Sequence, residues 1–444
     1  MKKITYAMSV LMMGLAFTAC SESNNNNEEN GNEFNVINTT PLVDEDSYAQ
    51  NTTAANYSSK AFGQDAIDNC MSLISELENA NTTIATAKLS EAQEAYLRKV
   101  LETLVGNVIV PTYTQLADDV EDLEKTLNGL TVNSITQAQI DKACADFKQA
   151  RQNWERSEAF LMGAASDFDI DPTIDSWPLN RSLLLNYFNN GMNDEMLEDA
   201  TILGFHALEF ILFRNGQNRK VAELQGNDTY TNFEKITGAQ ELAYAQTICT
   251  LLKQRCFQLQ VAWEGGTAAN AARVAVVKAA GLDMTTAAGL SYGENLKQAG
   301  VSGSKSTFPT LKDAIAQVLI NDEGSCLAIC NEVGTAKIAN PFSAGDIAYV
   351  ESPYSYNSIT DFRDNIRSIR NVWLGSTDKK ANEYSFHTFF ASVKSDKVNT
   401  AVESNYVGAI EGISNMPTPF VKYCSVVWGK NFDDPDNWDS TSGE

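Results

Sequence analysis

Apolar residues recur along most of the chain at intervals of three and four. Phe62, Ala66, Ile67, Cys70, Ile74 and Leu77 form one stripe, and Val100, Leu101, Leu104, Val105 and Val108 form a second, which Pro111 interrupts. Ile140, Ala143, Cys144, Phe147, Ala150, Trp154 and Leu161 make a third, and Leu203, His206, Ala207 and Phe210 a fourth. This spacing lines one face of a helix, so each stretch predicts an amphipathic helix. Strict alternation, the mark of a half-buried strand, is scarce, and no large sheet is expected. The expected fold class is all-α, built of helical bundles.

Breakers divide these stretches. Residues 214–235 are rich in Asn, Gly and charge and predict a loop or hinge. A second breaker-rich region runs from Gly265 to Pro309, with an Ala- and Val-rich centre, Ala268 to Ala280, that still suits a helix. After Phe432 the chain is acidic and rich in Pro, Asn and Ser, and loose order is expected there. An internal echo joins two of the helices: Asp146-Phe147-Lys148 leads through Arg151 and Trp154 to Gly163, and Asp361-Phe362-Arg363 leads through Arg367 and Trp373 to Gly375. The expected organisation is two helical-bundle halves, residues 36–235 and 236–444, related by an apparent duplication, with a functional groove between them.

The first residues are an address. Lys2 and Lys3 precede an apolar run from Ile4 to Phe17, and small residues stand just before Cys20. The pattern reads as a lipoprotein signal peptide over residues 1–19, with Cys20 becoming the lipidated N-terminus that tethers the protein to a membrane. Residues 20–35 follow as a flexible tether, since Ser21 to Asn32 carries no apolar side chain. An outer-membrane lipoprotein of a Gram-negative bacterium is expected, with its body facing the periplasm or the cell surface.

Charge narrows the partners. Lys plus Arg number 33 against 57 Asp plus Glu in 444 residues, a formal charge of −24. That balance argues against nucleic acid, whose phosphates call for clustered Lys and Arg, and permits cationic ligands. With only two histidines, His206 and His387, a three-His metal site is excluded. Apart from Cys20, the cysteines fall mostly at helical apolar positions and read as small core residues, with one disulfide left open.

The densest chemical signal is Gly204-Phe205-His206-Ala207-Leu208-Glu209-Phe210. His206 and Glu209, three apart, project to one side of a helix. An imidazole and a carboxylate placed so can share a metal ion, act as a base with its orienter, or satisfy each other in the core. Glu158 or Asp175 would complete a metal site with them, and such mixed ligands suit iron, zinc or copper. Glu155 and Glu158, in Trp154-Glu155-Arg156-Ser157-Glu158, fall on the third predicted helix and are candidate catalytic bases. Arg151, four residues before Glu155, pairs with it or with a ligand carboxylate. Asp167, Asp169, Asp171 and Asp175 imitate a calcium loop, but Pro172 and Pro178 stand where that loop needs Gly and Glu. Ser352 lacks the Gly-x-Ser-x-Gly setting of a hydrolase nucleophile. His387, among aromatic neighbours, reads as a satisfied histidine.

Taken in order, several segments resemble the imelysin family. The Gly-x-His-x-x-Glu of Gly204, His206 and Glu209 is similar to that family's signature. The Trp-Glu-x-x-Glu segment, the Asp175-Ser176-Trp177-Pro178 turn, and the block from Glu351-Ser352 through Asp361-Phe362 and Asn365-Ile366 to Leu374-Gly375 look like its other characteristic stretches. Pro111 with Tyr113 resembles its early helix. The resemblance implies a helical protein with two bundle-like halves, the signature near the groove between them, and Gly204, Arg151, Asp175, Trp177, Glu351 and Ser352 as binding residues. It also implies export or lipid anchoring and an association with iron acquisition, including iron-uptake partner proteins. The family is catalogued among metallopeptidases, so three functions follow: metal capture, peptide cleavage through His206 and Glu209, or an interaction lipoprotein in which that pair is structural.

Overall fold

The computed structural model describes residues 63–191, 196–227, 236–344 and 349–427. The signal peptide, the tether and the acidic tail lie outside them. Seventeen α-helices are seen among the described residues. Helix α1 (Gln64–Thr86) is followed by α2 (Glu91–Thr103), α3 (Val110–Asn128) and α4 (Gln137–Glu155). Short helices α5 (Ala164–Asp167), α6 (Asp171–Asp175), α7 (Arg181–Asn190) and α8 (Gly204–Leu212) lead to a two-stranded hairpin, β1 (Phe213–Arg214) and β2 (Gln217–Asn218). The long α9 (Gly238–Glu264) precedes α10 (Ala271–Ala279), α11 (Tyr292–Lys297), α12 (Leu311–Ile320) and α13 (Cys326–Glu332). Helices α14 (Ser358–Leu374), α15 (Phe386–Ser392), α16 (Asp396–Ser414) and α17 (Phe420–Val427) complete the described residues. The all-α expectation holds.

Local chemistry sets the helix starts. Ser90 with Gln93, Thr136 with Gln139 and Thr237 with Gln240 form reciprocal capping boxes at α2, α4 and α9. The expected stripes are buried: Ala66, Cys70 and Leu77 on α1, and Ile140, Phe147, Ala150 and Trp154 on α4. All seven described cysteines are buried and free. Ala271–Ala279 is a helix, as the Ala/Val-rich centre suggested.

Two expectations are corrected. Pro111 does not interrupt its stripe. The chain widens into a π-turn over Leu104–Ile109, whose i→i+5 bond from Val110 N–H to the Val105 carbonyl leads into α3 with Pro in its first turn, where no N–H is needed. The third stripe is not one helix to Leu161. Helix α4 stops at Glu155, the Ser157 hydroxyl takes the Trp154 carbonyl, and Glu158 opens a separate 3₁₀ turn, Glu158–Phe160. Glu155 and Glu158 therefore do not share a helix.

The packing places α3 against α4 and α9, and α8 against α9. Helix α1 packs on α16, α13 and α12. Helix α14 touches both groups, through α4 and α16, so the two segments carrying the echo meet each other directly. Among the described residues no helix is long and apolar enough to cross a membrane.

A buried charge centre and an acidic cavity

Helix α8 carries the signature, and every residue from Gly204 to Leu212 is buried. Gly204 is required by position: it sits at φ 73°, and a Cβ there would stand 2.0 Å from the Ile174 carbonyl oxygen. Only glycine lets α8 start against the backbone of α6. That approach sets His206 beside Asp175.

Arg151 is the hub. It is 1% exposed and meets carboxylates from four segments. Its Nη1 donates to Asp175 Oδ1; its Nη2 lies 2.5 Å from Glu155 Oε1 and 2.6 Å from Glu351 Oε1; and its Nε is 3.8 Å from Asp361 Oδ2. Trp154 Nε1–H donates to Asp175 Oδ2 at 2.6 Å. Lys337, also buried, bonds Glu351 Oε1 at 3.0 Å and lies 5.1 Å from the centre of the Trp177 ring. The Ser352 hydroxyl donates to Asp361 Oδ2 at 2.6 Å while its backbone is held at φ 51°. Asn365 Nδ2–H donates to Glu155 Oε2.

His206 and Glu209 do meet, with Nδ1 3.3 Å from Oε2. The other imidazole nitrogen, Nε2, is 3.0 Å from Asp175 Oδ1. Glu209 Oε1 accepts the Tyr354 N–H at 3.1 Å, the Ser355 N–H at 2.7 Å and the Ser355 hydroxyl at 2.6 Å. Both nitrogens thus face carboxylates. Burial and Arg151 push the imidazole toward neutrality, but the bonds to Asp175 and Glu209 win and raise its pKa to about 9. A void of about 10 Å³, room for a single water, adjoins His206.

Asp175, His206 and Glu351 lie close enough to chelate an ion, and so do Glu155, Glu158 and Asp175. The two sets differ in one respect. The guanidinium of Arg151 already bonds Asp175 and Glu351, so the first set holds a cation supplied by the chain itself. In the second set Glu158 is 6% exposed, and among the described residues no hydrogen bond or ion pair to it is seen, Lys337 acting on it only through space. It lines a cavity of about 580 Å³ between the segment from Glu158 to Trp177 and the segment from Asp322 to Ala336. The charged residues of that lining are all acidic: Glu158, Asp169, Asp171, Asp175, Asp322, Glu323 and Glu332. Burial raises the Glu158 pKa well above the carboxylate range, with Lys337 only partly countering it. Burial likewise lifts Asp171 to about 7. Six buried carboxyls (Glu155, Glu158, Asp175, Glu209, Glu351 and Asp361) face three buried cationic side chains, Arg151, His206 and Lys337. The centre has spare capacity for positive charge.

The structure brings Arg151, Glu155, Asp175, His206, Glu209, Glu351 and Ser352 into one network. It places Glu158 with Glu155 and Asp175 rather than beside His206 and Glu209, and Trp177 at the wall of the cavity. Arg151 pairs with Glu155 as expected, and with Asp175 and Glu351 besides. His387 is far from this chemistry in its bonding: its Nδ1 meets Glu403 of α16, and its carbonyl accepts from Asn399. Lys337, Asp322, Glu323 and Glu332 carry no motif and were not anticipated. Asp169 and Asp171 had a signal, since they belong to the acidic run that fails as a calcium loop.

The helical architecture and this signature-centred network define the class of protein. The family model for imelysin matches residues 109–436, and the chain belongs to the imelysin family. Iron-regulated protein A of Synechococcus elongatus is 24% identical over 288 residues, covering 64% of this chain and 66% of that protein, just under two thirds of its length. A crystal structure described as an iron-regulated protein A precursor, from Parabacteroides distasonis, superposes with a TM-score of 0.55 at 23% identity, over 77% of this chain and 97% of the other. It shares the fold. An imelysin-like protein from Psychrobacter arcticus gives a TM-score of 0.43 at 13% identity, over 78% of this chain and 98% of the other.

Proposed function

We propose that this protein captures a hard metal ion, iron foremost, in the acidic cavity, as a lipid-anchored component of a Gram-negative cell envelope. The observation that carries the reading is Glu158: a buried carboxyl that makes no hydrogen bond or ion pair among the described residues, opening onto a cavity whose charged lining is entirely acidic. Burial favours the protonated form of Glu158, and a cation held between Glu158, Glu155 and Asp175 would displace that proton and supply the counter-charge the site lacks. An all-carboxylate set suits a hard cation better than a soft one. The metal is cargo in this reading, and the wide cavity leaves space for the waters or small chelators that accompany it. The names of the iron-regulated relatives support iron as the first ion to try. The Cys20 lipid signal and the tether support the envelope location and leave the body free to meet an uptake partner.

In this reading the Arg151–His206–Glu209 network is the scaffold. Arg151 takes the place of a metal among Asp175, Glu351 and His206, and holds Asp175 and Glu155 so that their remaining faces converge near Glu158. Peptide cleavage through His206 is poorly served by this geometry, because both imidazole nitrogens already face carboxylates and the residue is 2% exposed.

Elemental analysis after exposure to iron, followed by desalting, tests the reading. The parent should retain about one ion per chain and Glu158→Gln far less, with both melting at similar temperatures. Equal retention by the variant, or none by the parent, removes Glu158 from the site. Chelator-sensitive cleavage of a peptide substrate would move the protein to the peptidase reading.

A further inference from the structure

Lys337 is the one lysine buried among the described residues, at 1% exposure. It follows α13 on a π-helical segment, Val333–Ala344, directly after Thr335 and Ala336, which line the acidic cavity. Its own side chain takes no part in that lining. Its Nζ bonds Glu351 Oε1 at 3.0 Å, lies 3.5 Å from Glu332 Oε1 and stands over the Trp177 ring. Glu332 and Trp177 both line the cavity, and Glu351 belongs to the Arg151 hub, so the ammonium is held between the two.

Arg151 and Lys337 act on the carboxyls of Glu155, Glu158 and Asp175 in different ways. Arg151 bonds Glu155 and Asp175 and so fixes where they point. Lys337 makes no bond to any of the three among the described residues, and reaches them only through space. Burial raises the carboxyls of Glu155 and Glu158; Arg151 pulls the first back, and Lys337 pulls back both. Burial acts on Asp175 too, where Arg151, His206 and Lys337 together outweigh it. The field of Lys337 therefore covers the whole carboxyl set while leaving its geometry to other residues.

A fixed positive charge beside a cation site opposes binding. The opposition grows with the charge of the arriving ion, and burial spares it most of the screening that salt gives at a surface. We propose that Lys337 sets the affinity and the charge preference of the acidic cavity: it is a resident cation whose repulsion weakens capture, and weakens it more for a trivalent ion than for a divalent one. The proposal rests on cation capture at Glu158, Glu155 and Asp175. With the ammonium in place the site holds its cargo loosely enough to pass it on.

Lys337→Met keeps the side chain's length and removes its charge. Glu351 retains Arg151, and the Glu332 side chain is 37% exposed, so neither partner is stranded. The probes are terbium(III) and manganese(II), added to the full chain in detergent. Terbium is read by luminescence excited through the indoles, of which Trp154 bonds Asp175 directly, and manganese by its displacement of terbium. Hydration and ligand chemistry are the same in parent and variant and cancel, which leaves the product of the charges. A gain of about tenfold for manganese should therefore accompany a gain of about thirtyfold for terbium, the same factor raised to the ratio of the charges. A purely structural role would move both ions by one factor. Should the methionine variant fail to fold, Lys337→Gln takes its place. Equal factors, no change, or weaker binding in the folded variant, with binding to the parent still lost in Glu158→Gln, overturns the role of Lys337 and leaves the capture reading standing. Binding of neither ion to the parent removes the capture reading, and this proposal with it.

Discussion

Asp361 shows how a single residue's setting fixes a measurable property. Burial, only partly countered by Arg151 and reinforced by Glu351, raises its pKa to about 7. Between roughly pH 4 and 7 the native state therefore holds a proton that the unfolded chain has released, and stability falls as pH rises across that interval. Asp361→Asn keeps the shape and removes the titration. Its melting temperature should drop less between pH 5 and pH 8 than the parent's, by a few degrees, when both are scanned in chelator. An identical drop in the two would take Asp361 out of the titration. Arg151 makes the complementary point. Replacing it with Met leaves Asp175, Glu155 and Glu351 buried without their cation, a loss of about 3–5 kcal/mol for breaking a buried pair. Thermal or urea denaturation reads that loss directly, and a change below 1 kcal/mol would contradict the hub role. From the sequence, Arg151 looked like one half of an intrahelical pair. Its other carboxylates stand 24, 200 and 210 positions away, at Asp175, Glu351 and Asp361, beyond the reach of any local pattern.

At the scale of elements, the decisive contact is α8 against α6. Gly204→Ala would set a methyl 2.0 Å from the Ile174 carbonyl and strain a positive φ. Overpacking and backbone strain together should cost about 3 kcal/mol or more. Because Ile174 precedes Asp175, the variant should also lose metal retention in the elemental analysis; retention at the parent's level with an unchanged melting temperature would show that the two helices separate freely. The stripes on α1, α4 and α8 were legible because burial follows the 3.6-residue period. The end of α4 was not. Leu161 continues the apolar spacing, yet hydrogen bonding at Ser157 turns the backbone after Glu155, and that turn aims Glu158 into the cavity. The Pro111 break was misread for a related reason: a π-turn places proline where its missing N–H costs nothing, and no periodicity announces a π-turn.

Over the whole molecule, the first described helix and one of the last are zipped together. A Cβ at Gly412 on α16 would lie 2.6 Å from the backbone nitrogen of Ala66 on α1. Gly412→Val should therefore loosen α1, at a cost of about 2 kcal/mol. Hydrogen exchange should quicken in α1 and α16 first, while α3 and the two helices packed on it, α4 and α9, stay protected; uniform loss across all five would mean the chain unfolds as one unit. By itself the sequence determined the all-α class, the principal helices and the family, because helical periodicity and short motifs are properties of neighbouring residues. It also singled out Arg151, Glu155, Asp175, His206, Glu209, Glu351 and Ser352, which the fold gathers into one network, and Glu158 beside them. What only the tertiary structure decided is how those charges are apportioned: that Arg151 occupies the place beside His206, that Glu158 faces an acidic cavity with Asp322, Glu323 and Glu332 opposite, and that Lys337 is buried among them. Electrostatics acts through space between segments far apart in the chain, so which carboxyl is paired with a cation and which is not is settled only when the helices pack.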